Sequence, residues 1–203
     1  MGNPEVVRPY EDLVRDEVAL LLKLNGISTE HWGVGKAKTV EDLVDEVVKG
    51  ECVLDRIAEG EVKRKMQIAR VYVSIHMPNG QTLELWEDKQ VMESGGSRDR
   101  LRFGAGLAEK MTKLEEPTGA AARGIEEELF EKKKVVPPNS LRFVAELDEE
   151  EESQSYPGLT TQLHIFKYEW DMPPNLYKED GYVETKPNGQ QTFFKWQEII
   201  HNS

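Results

Sequence analysis

Hydrophobic positions near the start of the chain recur with a helical period. Leu13, Val14, Val18, Leu21, Leu22 and Leu24 predict an amphipathic helix from Tyr10 to Leu24, with Asn25-Gly26 as its stop. Thr39 then stands before a shorter pattern, Leu43, Val44, Val47 and Val48, with Glu41 and Asp42 in the first turn and Lys49-Gly50 at the end. That predicts a second helix capped by Thr39. Trp32, in a Gly-bounded loop between the two, reads as a packed anchor. The period next changes to two. Ala69, Val71, Val73 and Ile75 predict a strand over 68–77, Pro78-Asn79-Gly80 a turn, and 82–86 an antiparallel return. The segment 88–99, with Gly95-Gly96-Ser97, reads as a polar loop, and Leu101 and Phe103 as a short strand.

A third helical pattern follows a Gly-rich turn at 104–106. It carries Ala120-Ala121-Ala122, small enough for close packing on a sheet, then Arg123, Glu126, Glu127 and Glu128. Lys132 to Lys134 suit a helix C-terminus, and Pro137-Pro138 prevents continuation. Beyond it, 141–147 reads as a strand, the five carboxylates at 148–152 as a mobile solvated loop, and 160–170 as a central strand. The polar stretch to Gln190 predicts no element; 192–196 predicts a last strand and 197–200 the start of a terminal helix. Trp86, Tyr156, Phe166 and Trp170 read as core. The cluster Lys63, Arg64, Lys65 and Arg70 reads as a solvated flank. These elements predict an α+β fold, a mixed sheet around one central helix, with a helical N-terminal extension over 1–60 and a domain over 61–203 divided near Gly60.

Composition narrows the chemistry. The chain has 203 residues, 26 basic and 38 acidic side chains and a net charge of −12, which disfavours binding to a nucleic-acid backbone or an anionic membrane. An anionic ligand would have to arrive with a cation. One cysteine, Cys52, allows neither an internal disulfide nor a thiolate zinc site, which implies a reducing, cytoplasmic setting, and the first residues contain no apolar run resembling a signal or membrane segment. Adjacent carboxylates on one helix repel by a few tenths of a kcal/mol per pair, a cost that a bound cation would remove.

The spacing of these residues resembles the Nudix box of the Nudix hydrolase superfamily, G-x5-E-x7-R-E-U-x-E-E-x-G-U, where U is bulky and aliphatic. Glu115 falls on the first glutamate, Arg123 on the arginine, Ile125 on the aliphatic position, and Glu127 and Glu128 on the paired glutamates. Three positions depart from it. Glu109 stands where the first glycine is due, Phe130 where the last is due, and Gly124 where the glutamate after the arginine is due.

The resemblance implies an α/β/α sandwich with the box helix on the sheet, and Mg2+ or Mn2+ held by Glu127, Glu128 and Glu115, with Arg123 orienting the glutamates. It implies hydrolysis of a phosphoanhydride, a nucleoside diphosphate linked to another group, and hence a small phosphorylated partner. The residue at 124 would project with Glu127 and Glu128 and in many relatives binds metal; a glycine there leaves an atypical or weakened site. The base must then come from elsewhere. Glu109 and Glu126 are candidates, as are Glu169 and Glu184 from later segments, and Gly104, Gly106 and Gly124 are candidates for approaching a substrate with bare backbone. The alternative is a catalytically inactive Nudix-fold binding or scaffold protein. A homodimer through the N-terminal helices is compatible with either.

Overall fold

The computed structural model describes residues 9–58, 61–91, 97–99 and 106–199. Among the described residues, three α-helices and a mixed sheet give the expected α+β class. The chain forms two compact units that are not consecutive in sequence. The first takes the chain through Gln67 together with Met111–Leu114 and Asp148–His164, and the second takes Ile68–Lys110, Glu115–Leu147 and the chain from Ile165 onward. The expected division at Gly60 falls outside the described residues.

In the first unit, α1 (Tyr10–Leu24) buries Val14, Val18 and Leu22, and α2 (Val40–Val48) buries Leu43, Val44 and Glu46. Thr39 caps α2 reciprocally: its hydroxyl accepts from the Asp42 amide, and the Asp42 carboxylate accepts from the Thr39 amide at 2.8 Å. Trp32 is packed as expected, its ring 5.1 Å from that of Tyr156 and its indole N–H donating to the Pro157 carbonyl. Strand β1 (Val53–Ala58), which the sequence pattern does not predict, pairs antiparallel with the first part of β2 (Glu61–His76).

The basic cluster is not a solvated flank. Arg64 is 6% exposed, its guanidinium donating to Glu46 at 2.5 Å and lying over the Tyr156 ring, while Lys63 pairs with Glu150 and Lys65 with Asp55. Buried positions in β2 are Val62, Arg64 and Met66, then Ala69, Val71, Val73 and Ile75, so the inward set changes from even to odd positions. This change of parity, with a cation on the inward side, is why the alternation predicts only the second half of the strand.

The strand order of the sheet is β6 (Arg142–Glu152), β7 (Thr160–Asp171), β2, β3 (Thr82–Val91), β9 (Gln191–Glu198) and β8 (Tyr182–Thr185). β5 (Leu107–Lys110) pairs with β2, and the three-residue β4 (Ser97–Asp99) pairs with β3. Thus 88–99 is not one polar loop, since strand pairing occupies both of its ends. Residues 148–152 continue β6 instead of forming a loop, with Asp148 held by His164 and Glu150 by Lys63. β8 lies inside the stretch for which no element is predicted, and Gln197 and Glu198 end a strand, not a terminal helix. The short strand expected at Leu101 and Phe103 lies outside the described residues.

Helix α3 (Pro117–Phe130) packs on β5 and β8. Ala120, Ala121, Ala122 and Ile125 are at most 6% exposed, so the run of small residues does let the helix approach its neighbours closely. Phe130, in the place of the box glycine, packs edge-on against Trp170 and Tyr182. The left-handed turn that a glycine would ease is made instead by Glu131 (φ 51°) and Lys132 (φ 66°).

Candidate functional site

The candidate carboxylates lie on and around α3 where it packs on β5 and β8. Arg123 is their organiser. Its Nε and Nη2 donate to the two oxygens of Glu115, each at 2.8 Å, a bidentate pair that fixes both groups in one plane. Nη1 donates to Glu109 at 2.7 Å and Nη2 also to the Lys110 carbonyl at 2.9 Å. Glu127, the helical neighbour one turn on, is only at 3.9 Å. The i,i+4 pairing is therefore the weakest of the arginine's contacts, and the strong ones reach β5 and the residues just before α3.

Gly124 explains the departure from the box. A Cβ built on it would lie 2.8 Å from Cβ and 3.3 Å from Cγ of Glu109, with a Glu109 carboxylate oxygen at 3.8 Å. Carbon atoms at 2.8 Å collide, so the helix tolerates no side chain at 124 while β5 presents one at 109. The space where a glutamate side chain would leave the helix is filled by a glutamate arriving from the strand. In the sequence the two departures look like separate losses; in the fold Glu109 occupies the space beside Gly124. Gly106, by contrast, is explained by backbone packing: at φ +62°, its absent Cβ would meet the Val71 carbonyl at 2.7 Å. Gly104 lies outside the described residues.

The electrostatics follow from this crowding. Burial raises the Glu109 carboxyl above the ordinary glutamate range, against the opposing pull of the Arg123 hydrogen bond. Glu128 is pushed up much further, first by burial and then by the negative charges of Glu184, Glu109 and Glu87, with Lys186 only partly offsetting them. Among the described residues no side-chain hydrogen bond holds the Glu128 carboxylate. Glu184 comes from β8, so the element missing from the sequence pattern brings a candidate residue to the cluster.

Other candidates are committed elsewhere. Glu126 is 3% exposed and accepts from the Val135 and Val136 amides at 2.9 and 3.1 Å and from Lys134 at 2.7 Å. It ties down the turn after α3. Glu169 is ion-paired with Arg142.

The donor chemistry suits a hard divalent cation, because every group is a carboxylate and no side-chain hydrogen bond among the described residues occupies Glu128. The carboxylates nevertheless stand apart: among the described residues no three His, Cys, Asp or Glu side chains are near enough to share an ion. Glu115 has both oxygens engaged by Arg123, so Glu109, Glu127, Glu128 and Glu184 are the groups with oxygens to offer.

No protein-family profile and no curated protein matches this chain in sequence. Among solved structures it is similar to an Ap4A hydrolase of C. elegans in a binary complex, at 13% identity over 66% of this chain and 80% of that one, with a TM-score of 0.38. It is also similar to the Nudix hydrolase RenU of M. smegmatis, at 14% identity over 65% and 70% of the two chains and a TM-score of 0.33. A third likeness, at 10% identity, is to the T. brucei MERS1 protein in its apo form, over 82% of this chain and 66% of that one with a TM-score of 0.30.

Proposed function

We propose that the protein is a divalent-cation-dependent hydrolase of a phosphoanhydride, a nucleoside diphosphate linked to another group, in which Glu109 stands in for the glutamate missing at position 124. The observation that supports this reading is the 2.8 Å separation between the Glu109 Cβ and the absent Cβ of Gly124, which gives the two positions one space to share. Glu109, Glu127, Glu128 and Glu184 are the groups that would hold Mg2+ or Mn2+. A cation so held supplies phosphoryl polarisation and a more acidic water. Arg123 fixes the Glu109 carboxylate by a charged hydrogen bond, leaving its second oxygen for a cation or for a water proton. Because burial lifts the Glu109 carboxyl above the ordinary range, it holds a proton better than a solvated glutamate, the direction that favours a base.

A binding-only protein is the second reading. It is favoured by Arg123 itself, which already neutralises Glu109 and Glu115 with a cation of the protein's own. Incubation with nucleoside diphosphate sugars, dinucleoside polyphosphates, nucleotide cofactors and prenyl diphosphates, with Mg2+ or Mn2+, separates the two. Turnover of at least one class that Glu128→Ala abolishes is expected; no turnover above that variant across the panel overturns the hydrolase reading and leaves the binding protein.

A further inference from the structure

A cleft that shares no residue with the carboxylate cluster and lies wholly within the first unit has the opposite character. Its volume is about 800 Å3, within the range of small-molecule sites. Its walls come from the C-terminal end of α2, the start of β1, β2 and 111–114, including Val47, Val48, Met66 and Met111. Met66 and Met111 are 6% and 2% exposed, so they form a floor of flexible, polarisable side chains that adapts to an irregular apolar body. At the mouth stand three of the exposed large hydrophobic residues of the described chain, Tyr10, Val53 and Leu114, the last 93% exposed. An isolated exposed leucine needs no explanation, but three around one apolar cleft form a site that water covers poorly.

The charge at this mouth departs from the rest of the molecule. Lys65 is paired with Asp55, and Asp148 with His164. Of the remaining charged residues lining the cleft, Glu51 is acidic and Lys49 and Lys113 are basic; neither lysine ammonium has an ion-pair or hydrogen-bond partner among the described residues. In a chain of net charge −12, two such ammonium groups beside an apolar floor complement a ligand with an apolar body and an anionic end.

We propose that this cleft binds a monomeric single-tailed amphipathic anion, an acyl or prenyl chain ending in phosphate or carboxylate, with the tail over Met66 and Met111 and the anionic end at Lys49 and Lys113. The site is independent of the hydrolase reading, since none of its lining residues belongs to the carboxylate cluster.

The test is a titration of the full chain, labelled at its methionine methyl groups, with dodecyl phosphate below its micellar concentration. The expected result is saturable shifts of Met66 and Met111 with Met77 and Met172 unmoved, and an affinity that falls about tenfold or more in Lys49→Ala/Lys113→Ala and in Leu114→Asp. These substitutions are at exposed positions and leave the fold's melting temperature unchanged, which the same samples report. Equal affinity for dodecanol overturns the anionic end of the proposal, and equal affinity for inorganic phosphate overturns its apolar body. Sedimentation with phosphatidic acid vesicles without dodecyl phosphate binding overturns a free ligand in favour of a membrane surface. Shifts spread equally over Met66, Met77, Met111 and Met172, or none, overturn the site.

Discussion

Adding one methyl group at position 124 tests the exchange between Glu109 and Gly124 without any assay of activity. Alanine in place of glycine inside a helix normally stabilises by about 1 kcal/mol. Here the new Cβ would lie 2.8 Å from Cβ and 3.3 Å from Cγ of Glu109, and relieving such overpacking costs about 1–3 kcal/mol. Gly124→Ala should therefore be neutral to destabilising by up to about 2 kcal/mol, a fall of several degrees in melting temperature for a chain of this size. In a Glu109→Gly background the colliding atoms are gone, and the same change should stabilise by about 1 kcal/mol. The loss of the Arg123 to Glu109 bond is common to both arms of this cycle and cancels. Urea unfolding of the four proteins gives the coupling, expected at about 1–3 kcal/mol with a reversal of sign. Additivity within about 0.5 kcal/mol would refute the account, because it would mean the two side chains never compete for space. One consequence is that Gly124→Glu alone is the wrong way to restore the box pattern; only the exchange Glu109→Gly/Gly124→Glu has room for it.

Three further outcomes follow from the charges and the backbone. Because the folded-state pKa of Glu128 is raised, the folded chain binds more protons than the unfolded one above the ordinary glutamate value of 4.5, so stability should fall as pH rises through that window. Glu128→Gln should flatten that slope and raise the melting temperature by about 2–4 °C near neutral pH, the shift that 1 kcal/mol gives a chain of this size; an unchanged pH profile by calorimetry would contradict the crowding of charge. Arg64→Ala leaves the buried Glu46 carboxylate with Lys38 as its remaining cation, at 2.6 Å, and should cost about 3 kcal/mol by chemical denaturation, and a loss under about 1 kcal/mol would show the pair to be solvated. Lys132→Gly removes a left-handed non-glycine residue and should stabilise by about 1 kcal/mol, a rise in melting temperature that no change in contact would explain.

Helices and the simple hairpin were legible because local chemistry decides them. Tyr10–Leu24 and Val40–Val48 carry their periodicity and stop or cap signals within a few residues, and β2 meets β3 across a turn with Gly80 at φ +87°. What escaped depends on partners distant in sequence. β8 is only four residues, too short to show an alternation, and is stabilised by pairing with β9, including Tyr182 opposite Phe194. The acidic end of β6 looks like a loop until Lys63 and His164 are placed beside it. Arg64 reads as surface because nothing in its neighbourhood announces Glu46, eighteen positions earlier, as its buried counter-charge. At the candidate site, Arg123, Glu115, Glu127 and Glu128 were marked by spacing alone. That Glu109 and Gly124 are two halves of one contact was not, since only the crossing of α3 over β5 brings them together.

The central claim is that the carboxylate absent from 124 is supplied by 109, and Mn2+ binding followed by electron paramagnetic resonance tests it most directly. The wild-type protein should bind Mn2+ saturably, Glu109→Gln should weaken binding about tenfold or more, and Glu109→Gly/Gly124→Glu should recover most of the loss. Wild-type affinity in Glu109→Gln would contradict the claim.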